Sequence, residues 1–202
     1  MTAIASAPTA VTTGSTLVPT GLVVTGAVFV GNGVLLGSQL LADSRDYSQI
    51  ATGTAHLLHY GLWVVCLVAL SQLYPRMDVL RGRTGNRLPA PVLLLAGAGA
   101  VLDACTRFVS AFVAPYLAER QPQLMDSPPD AILLVPMYAT SIIALVATAT
   151  LAVVGLRRAV FPRGAAVLLF LGAVAIPVLV PLSNDLLGIG LVWIGYTARR
   201  RG

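Results

Sequence analysis

Residues 50–74 read IATGTAHLLHYGLWVVCLVALSQLY, with no acidic or basic side chain apart from two histidines. A helix needs about 20 apolar residues to cross the hydrocarbon core of a bilayer, and this run supplies them. His56, His59 and Tyr60 interrupt it. Spacings of three and four place all three on one helix face, and Trp63 extends that face by another turn. Polar groups inside a membrane are costly, so they face the bundle interior and mark functional sites. The stretch therefore predicts a membrane-spanning helix with a buried polar face.

The rest of the chain agrees. Of 202 residues 56% are hydrophobic and 10% charged, where soluble domains carry about 25% charged residues. Mean hydropathy is +0.83. Composition predicts an all-α polytopic membrane bundle occupying residues 17–199, preceded by a disordered Ala/Ser/Thr-rich leader over residues 1–16. That leader has no basic residue and does not read as a secretory signal. Every basic residue is arginine, and no basic stripe alternates with aromatics, so no nucleic-acid partner is expected.

Candidate spans are Leu17–Leu41, Ile50–Tyr74, Pro89–Leu117 and Ala131–Leu156. Residues 161–199 are too long for one span and carry Pro177 and Pro181, so they predict two short ones, Gly164–Val180 and Leu182–Ala198. Cytoplasmic loops are enriched in arginine. Arg76, Arg81, Arg83 and Arg87, then Arg157, Arg158 and Arg163, then Arg199, Arg200 and Arg201 all belong on that side. The loops holding Asp43 and Asp46, and Glu119, Asp126 and Asp130, face outward. The expected result is a plasma-membrane protein of six spans with both termini inside. Small residues, such as Gly33 and Gly37 in GxxxG spacing, favour close helix packing.

This topology places the polar groups at a common depth. His56, His59 and Tyr60 fall in the outer half of the second span. Asp103 lies near the middle of the third, with Arg107 one turn further out. Gln39 ends the first span, Tyr138 lies in the outer half of the fourth, and Ser183-Asn184-Asp185 forms the hairpin between the last two. Cys66 and Cys105 form no CxxC, and no zinc spacing or paired haem histidine is present, so no metal or other cofactor is expected.

The segment Pro181-Leu-Ser-Asn-Asp185, with Tyr196 and a basic tail after it, resembles two groups of proteins. One is a set of small six-span actinobacterial membrane proteins, whose His-Leu-Leu and Leu-Tyr-x-Arg elements correspond to His56-Leu57-Leu58 and Leu73-Tyr74-Pro75-Arg76. The other is the transmembrane terpene cyclases that act on prenylated natural products. The second resemblance implies acid-initiated isoprenoid cyclisation, with Asp185 as the assisting acid. Those cyclases also carry a glutamate in an earlier span. Here Glu119 lies in a loop, and Asp103 takes that role. On this expectation His56, His59, Tyr60 and Arg107 complete the catalytic group. Trp63, Phe108, Phe112, Asn184, Tyr138 and Gln39 line a pocket for a lipid-like substrate, with the aromatic faces stabilising a carbocation. The alternatives are a proton-coupled or small-solute transporter, which needs polar groups along a continuous path, and a non-catalytic membrane subunit.

Overall fold

The computed structural model describes residues 14–82, 85–127, 131–176 and 180–201. The first thirteen residues of the expected leader and the expected Pro177 break lie outside the described residues. Among the described residues the chain is all-α, with eight helices and no strand.

Helix α1 runs as Gly14–Asn32, passes through a π-helical turn at Gly33–Gly37 and ends as Ser38–Ala42. The short α2 is Tyr47–Ala51. Helix α3 is Thr54–Leu73 and tightens into a 3-10 turn, Tyr74–Val79. Helix α4 is Ala90–Phe108, a second π turn at Val109–Val113, then Ala114–Arg120. After the short α5, Pro122–Asp126, come α6, Ala131–Arg157, and α7, Arg163–Ala175. Helix α8 is Val180–Arg199. Among the described residues four helices are long and apolar enough to cross a membrane: Thr16–Leu40, Thr54–Val79, Ala90–Arg120 and Val135–Arg157. The apolar α7 has only 13 residues.

Two expected boundaries move. The chain breaks at Thr52 and Gly53, so Ile50 belongs to α2 and the main helix begins at Thr54. Ser183, Asn184 and Asp185 are not a hairpin; they lie in the first turns of α8, which already begins at Val180. Pro181 does not oppose this, because the first turn of a helix has no intrahelical partner for the missing N–H.

The six main helices close into a ring. Consecutive helices α1, α3, α4, α6, α7 and α8 pack side by side, and α8 returns to α1. Trp63, Phe29, Leu22, Met77, Leu93, Leu151, Leu169, Leu191 and Ile194 fill the interior.

The α1–α8 contact brings two backbones close together. A Cβ on Gly26 would meet the Gly188 carbonyl at 2.5 Å, one on Gly188 would meet the Gly26 carbonyl at 2.6 Å, and one on Gly195 would meet the Pro19 carbonyl at 2.5 Å. These pairings make the two helices antiparallel, and no side-chain movement can relieve such contacts, because the obstacle is main chain. Without a hydrophobic drive between helices in lipid, this proximity is a main source of attraction.

The arginine-rich segments meet at one end of the ring. Arg158 Nη1 donates to the Arg87 carbonyl at 3.2 Å, and Arg201 Nη1 donates to the Val160 carbonyl at 3.5 Å. Gly82 packs on the Arg158 and Ala159 carbonyls. The turn after α6 holds Ala159 at φ 54, a left-handed residue that lets the Val160 and Phe161 N–H groups return to the Gly155 carbonyl at 3.0 and 3.1 Å. At the other, acidic end, the Asp126 carboxylate accepts from the Ser48 N–H at 2.9 Å and the Ser48 hydroxyl at 2.8 Å, joining α2 to α5.

Gly188→Ala and Gly26→Ala are expected to destabilise the protein by about 1–3 kcal/mol, the usual cost of overpacking. Gly31→Ala and Gly61→Ala, where nothing lies within 4 Å of the added methyl, should be neutral or slightly stabilising. Thermal unfolding of the four variants in one detergent checks the contrast.

Candidate functional site

Helices α1, α3 and α4 bring together most of the polar residues of the interior. His56 and His59 are each 1% exposed, Asp103 2%, Arg107 7% and Asn32 2%.

The geometry of His56 begins with a proline. In the π turn of α4 the Ala114 N–H donates to the Val109 carbonyl. The next carbonyl, Ser110, would take its π-helical partner from Pro115, which has no N–H. A buried carbonyl needs a partner, and His56 Nε2 lies 2.9 Å from the Ser110 oxygen. A carbonyl only accepts, so Nε2 carries the proton, and in the neutral ring Nδ1 is left as a lone pair.

His59 is fixed in the opposite tautomer. Asn32 Nδ2 donates to the His59 carbonyl at 3.0 Å, which orients the amide. Its Oδ1 then faces His59 Nδ1 at 3.0 Å, so Nδ1–H donates and Nε2 holds the lone pair. Neither His56 Nδ1 nor His59 Nε2 has a hydrogen-bond partner among the described residues.

Aromatic contacts link the two rings. Tyr60 lies 4.6 Å from His56 and 5.0 Å from His59, centroid to centroid, and stacks near-parallel with Trp63 at 6.2 Å. His59 meets Trp63 edge-on at 5.7 Å. The Arg107 guanidinium sits 4.1 Å above the Trp63 ring, and its Nε lies 3.2 Å from Asp103 Oδ1. That ion pair lacks hydrogen-bond alignment, leaving both atoms without a hydrogen bond. Its stabilisation comes from charge proximity and from the cation–π contact, which is worth about 2 kcal/mol or more in a dry site. Tyr47 of α2 lies 6.0 Å from His56 and extends the cluster toward the acidic end.

The structure thus joins His56, His59, Tyr60, Trp63, Arg107 and Asp103 into one cluster. The other expected site residues lie elsewhere. Phe108 and Phe112 pair with each other at 4.8 Å but are 51% and 48% exposed, on the outside of α4. Tyr138 and Gln39 are also exposed. Asn184 is fully buried on α8 with both amide atoms unpartnered, and Asp185 Oδ1 beside it is unpartnered too. Helix α8 packs on α1 and α7. No hydrogen bond, ion pair or ring contact joins Asp185 to the histidines among the described residues.

Asn32, Ser110 and Tyr47 were not expected in the site. Ser110 comes seven residues after Asp103 and so repeats its face, a readable signal. Asn32 is a lone amide in an apolar run, readable as polar but silent about its partner. A hydroxyl pair, Thr106 with Thr140 at 2.6 Å, ties α4 to α6 nearby. Among the described residues no three His, Cys, Asp or Glu side chains come together in a metal-binding group. Outside the spans, the hydrogen bond from Arg45 holds the Asp43 carboxyl down at about 2. No protein-family model, no curated protein and no solved structure matches the chain.

Two outcomes test this geometry. Arg107→Leu should destabilise by about 3–5 kcal/mol, because it strands a buried carboxylate, whereas Asp103→Leu/Arg107→Leu should recover most of that loss; thermal or denaturant unfolding of the single and double variants measures the coupling. In nitrogen NMR of labelled histidine, the two rings should give one Nε2–H and one Nδ1–H signature. Asn32→Leu should abolish the Nδ1–H pattern alone, and a wild-type spectrum with two Nε2–H rings would refute the assignment.

Proposed function

We propose that the chain is a six-span protein of the plasma membrane, with its arginine end in the cytoplasm. We further propose that the α1–α3–α4 cluster is an intramembrane acid–base site acting on a lipid-like, prenylated substrate. The observation that carries this reading is the pair of buried imidazoles, each with one nitrogen committed and the other without a hydrogen-bond partner among the described residues. A rigid, water-poor base of this kind suits proton transfer to or from an apolar substrate.

The concrete form we favour is acid-initiated isoprenoid cyclisation. A proton adds to an alkene or epoxide, carbon–carbon bonds form as the cation passes along the chain, and a proton leaves from the carbon beside the last cation. No redox partner is needed. His59 Nε2 is assigned as the final base, with Tyr60 presenting a π face to the cation. Asp103 is the carboxyl within the cluster; it is assigned to the protonation step once it has taken up a proton and left its ion pair, with Arg107 then held on the Trp63 ring. Asp185, on α8, is the competing assignment.

The test is turnover of a farnesylated aromatic acceptor by the protein in nanodiscs, read as an isomeric product of unchanged mass. His59→Gln and Asp103→Asn should each lower turnover by about 10²–10⁴-fold. Asp185→Asn should leave it intact if Asp103 is the donor. Absence of any isomeric product, or wild-type turnover in both His59→Gln and Asp103→Asn, defeats the reading.

One observation favours a proton relay as second reading: the unbroken series of ring contacts from Tyr47 to His56, Tyr60, His59, Trp63 and Arg107. A proton flux in liposomes that disappears in His56→Gln, with no product from the acceptor, would select it.

A further inference from the structure

Away from the histidine cluster, at the arginine end, a cavity of about 900 Å³ opens between α6, α7 and α8, lined by Arg157, Arg163 and Arg201 together with Trp193 and Phe161. All three arginines are exposed, and among the described residues none is paired with a carboxylate. Guanidinium groups present several donors in a fixed fork and match phosphate oxygens. Three of them converging from three segments make a strong anion field in a partly enclosed space. The α7 N-terminus adds to it. Its N-cap Pro162 provides no capping side chain, so the first N–H groups of this 13-residue helix lie open beside Arg163 and Gly164.

A second feature decides which anion fits. A groove of about 260 Å³, lined almost wholly by hydrocarbon, runs between α6 and α7 past Val153, Val167, Phe170 and Leu171. It shares Leu156 with the arginine cavity. Val167, Phe170 and Leu171 are 50%, 41% and 48% exposed, so this wall faces outward from the ring. A polar cationic mouth that continues into an apolar channel along the helix axes has the shape of a phospholipid: phosphate at one end, acyl chain at the other. Free phosphate would use the mouth and leave the groove idle. Trp193, 44% exposed and packed on Gly164, marks the level where an amphipathic ring meets the headgroups.

We propose that the α6–α7–α8 cavity binds the phosphodiester headgroup of an anionic phospholipid, with one acyl chain laid in the α6–α7 groove. The site is separate from the acid–base cluster and does not depend on its chemistry. It rests only on the membrane-spanning reading.

The experiment is lipid binding to purified full-length protein in detergent, monitored by native mass spectrometry with phosphatidylglycerol and phosphatidylcholine of matched chains. The wild type should retain phosphatidylglycerol preferentially. Arg157→Gln/Arg163→Gln should weaken that binding about fivefold per arginine removed, and Val167→Trp, which obstructs the groove, should weaken it with the arginines intact. The charge-matched control Arg76→Gln/Arg87→Gln, on the same end but outside the cavity, should leave binding unchanged. Thermal unfolding of each variant identifies any that fails to fold, and exposed positions 157, 163 and 167 should tolerate the changes. The proposal is overturned by equal loss in the control, by equal retention of the two lipids in the wild type, or by displacement of the lipid with excess inorganic phosphate.

Discussion

In a low-dielectric interior every backbone N–H and C=O must find a partner, and much of this structure depends on one place where the helix cannot provide it. Pro115 removes the N–H that the Ser110 carbonyl would use. The π turn at Val109–Val113 adapts α4 to that loss, and His56 supplies the missing donor from α3. The imidazole tautomer is therefore set by a proline five residues beyond the carbonyl it serves. On the other side of α3, the π turn of α1 begins one residue after Asn32, whose amide holds His59 in the opposite tautomer. Both irregular turns adjoin residues that fix a histidine, which is where π turns tend to be retained.

The membrane-helix character and the inward face of α3 were legible in the sequence. Residues 56, 59, 60 and 63 share a face because of helical spacing alone, and burial of His56, His59 and Trp63 is the consequence. Convergence of the three arginine-rich segments at one end was legible too, since loop charge tracks sidedness. The outward position of Phe108 and Phe112 is itself readable in the sequence. On a helical wheel they stand about 140–180° from Asp103, so a helix that buries Asp103 must expose them. Proline ahead of Ser183, Asn184 and Asp185 reads as a breaker, but in a first helical turn it is benign, so these residues lie in α8 and not in a hairpin.

Lateral neighbours were not legible. Helical periodicity fixes an angle about one axis, and topology fixes a depth, but neither says which helix stands beside which. Asn32 and Ser110 could be seen as polar groups at suitable depths, yet their partners depend on the ring order. The π turns were equally hidden, because each inserts one residue and rotates the remainder of its helix by about 100°. No composition signal announces that insertion.

Ring order also distinguishes the two sites. The seam between α6 and α7 lies across the ring from the seam between α1 and α3, where Asn32 holds His59. A lipid seated by the arginines reaches along the far side of the bundle, toward Phe170 and Leu171, and its chain does not approach the imidazoles. In the proposed site the lipid neutralises three guanidiniums that no carboxylate pairs with among the described residues, and it fills a groove beside the 13-residue α7. The proposed lipid seat and the proposed acid–base cluster thus lie on opposite seams of the ring, one built on guanidiniums and hydrocarbon, the other on two imidazoles.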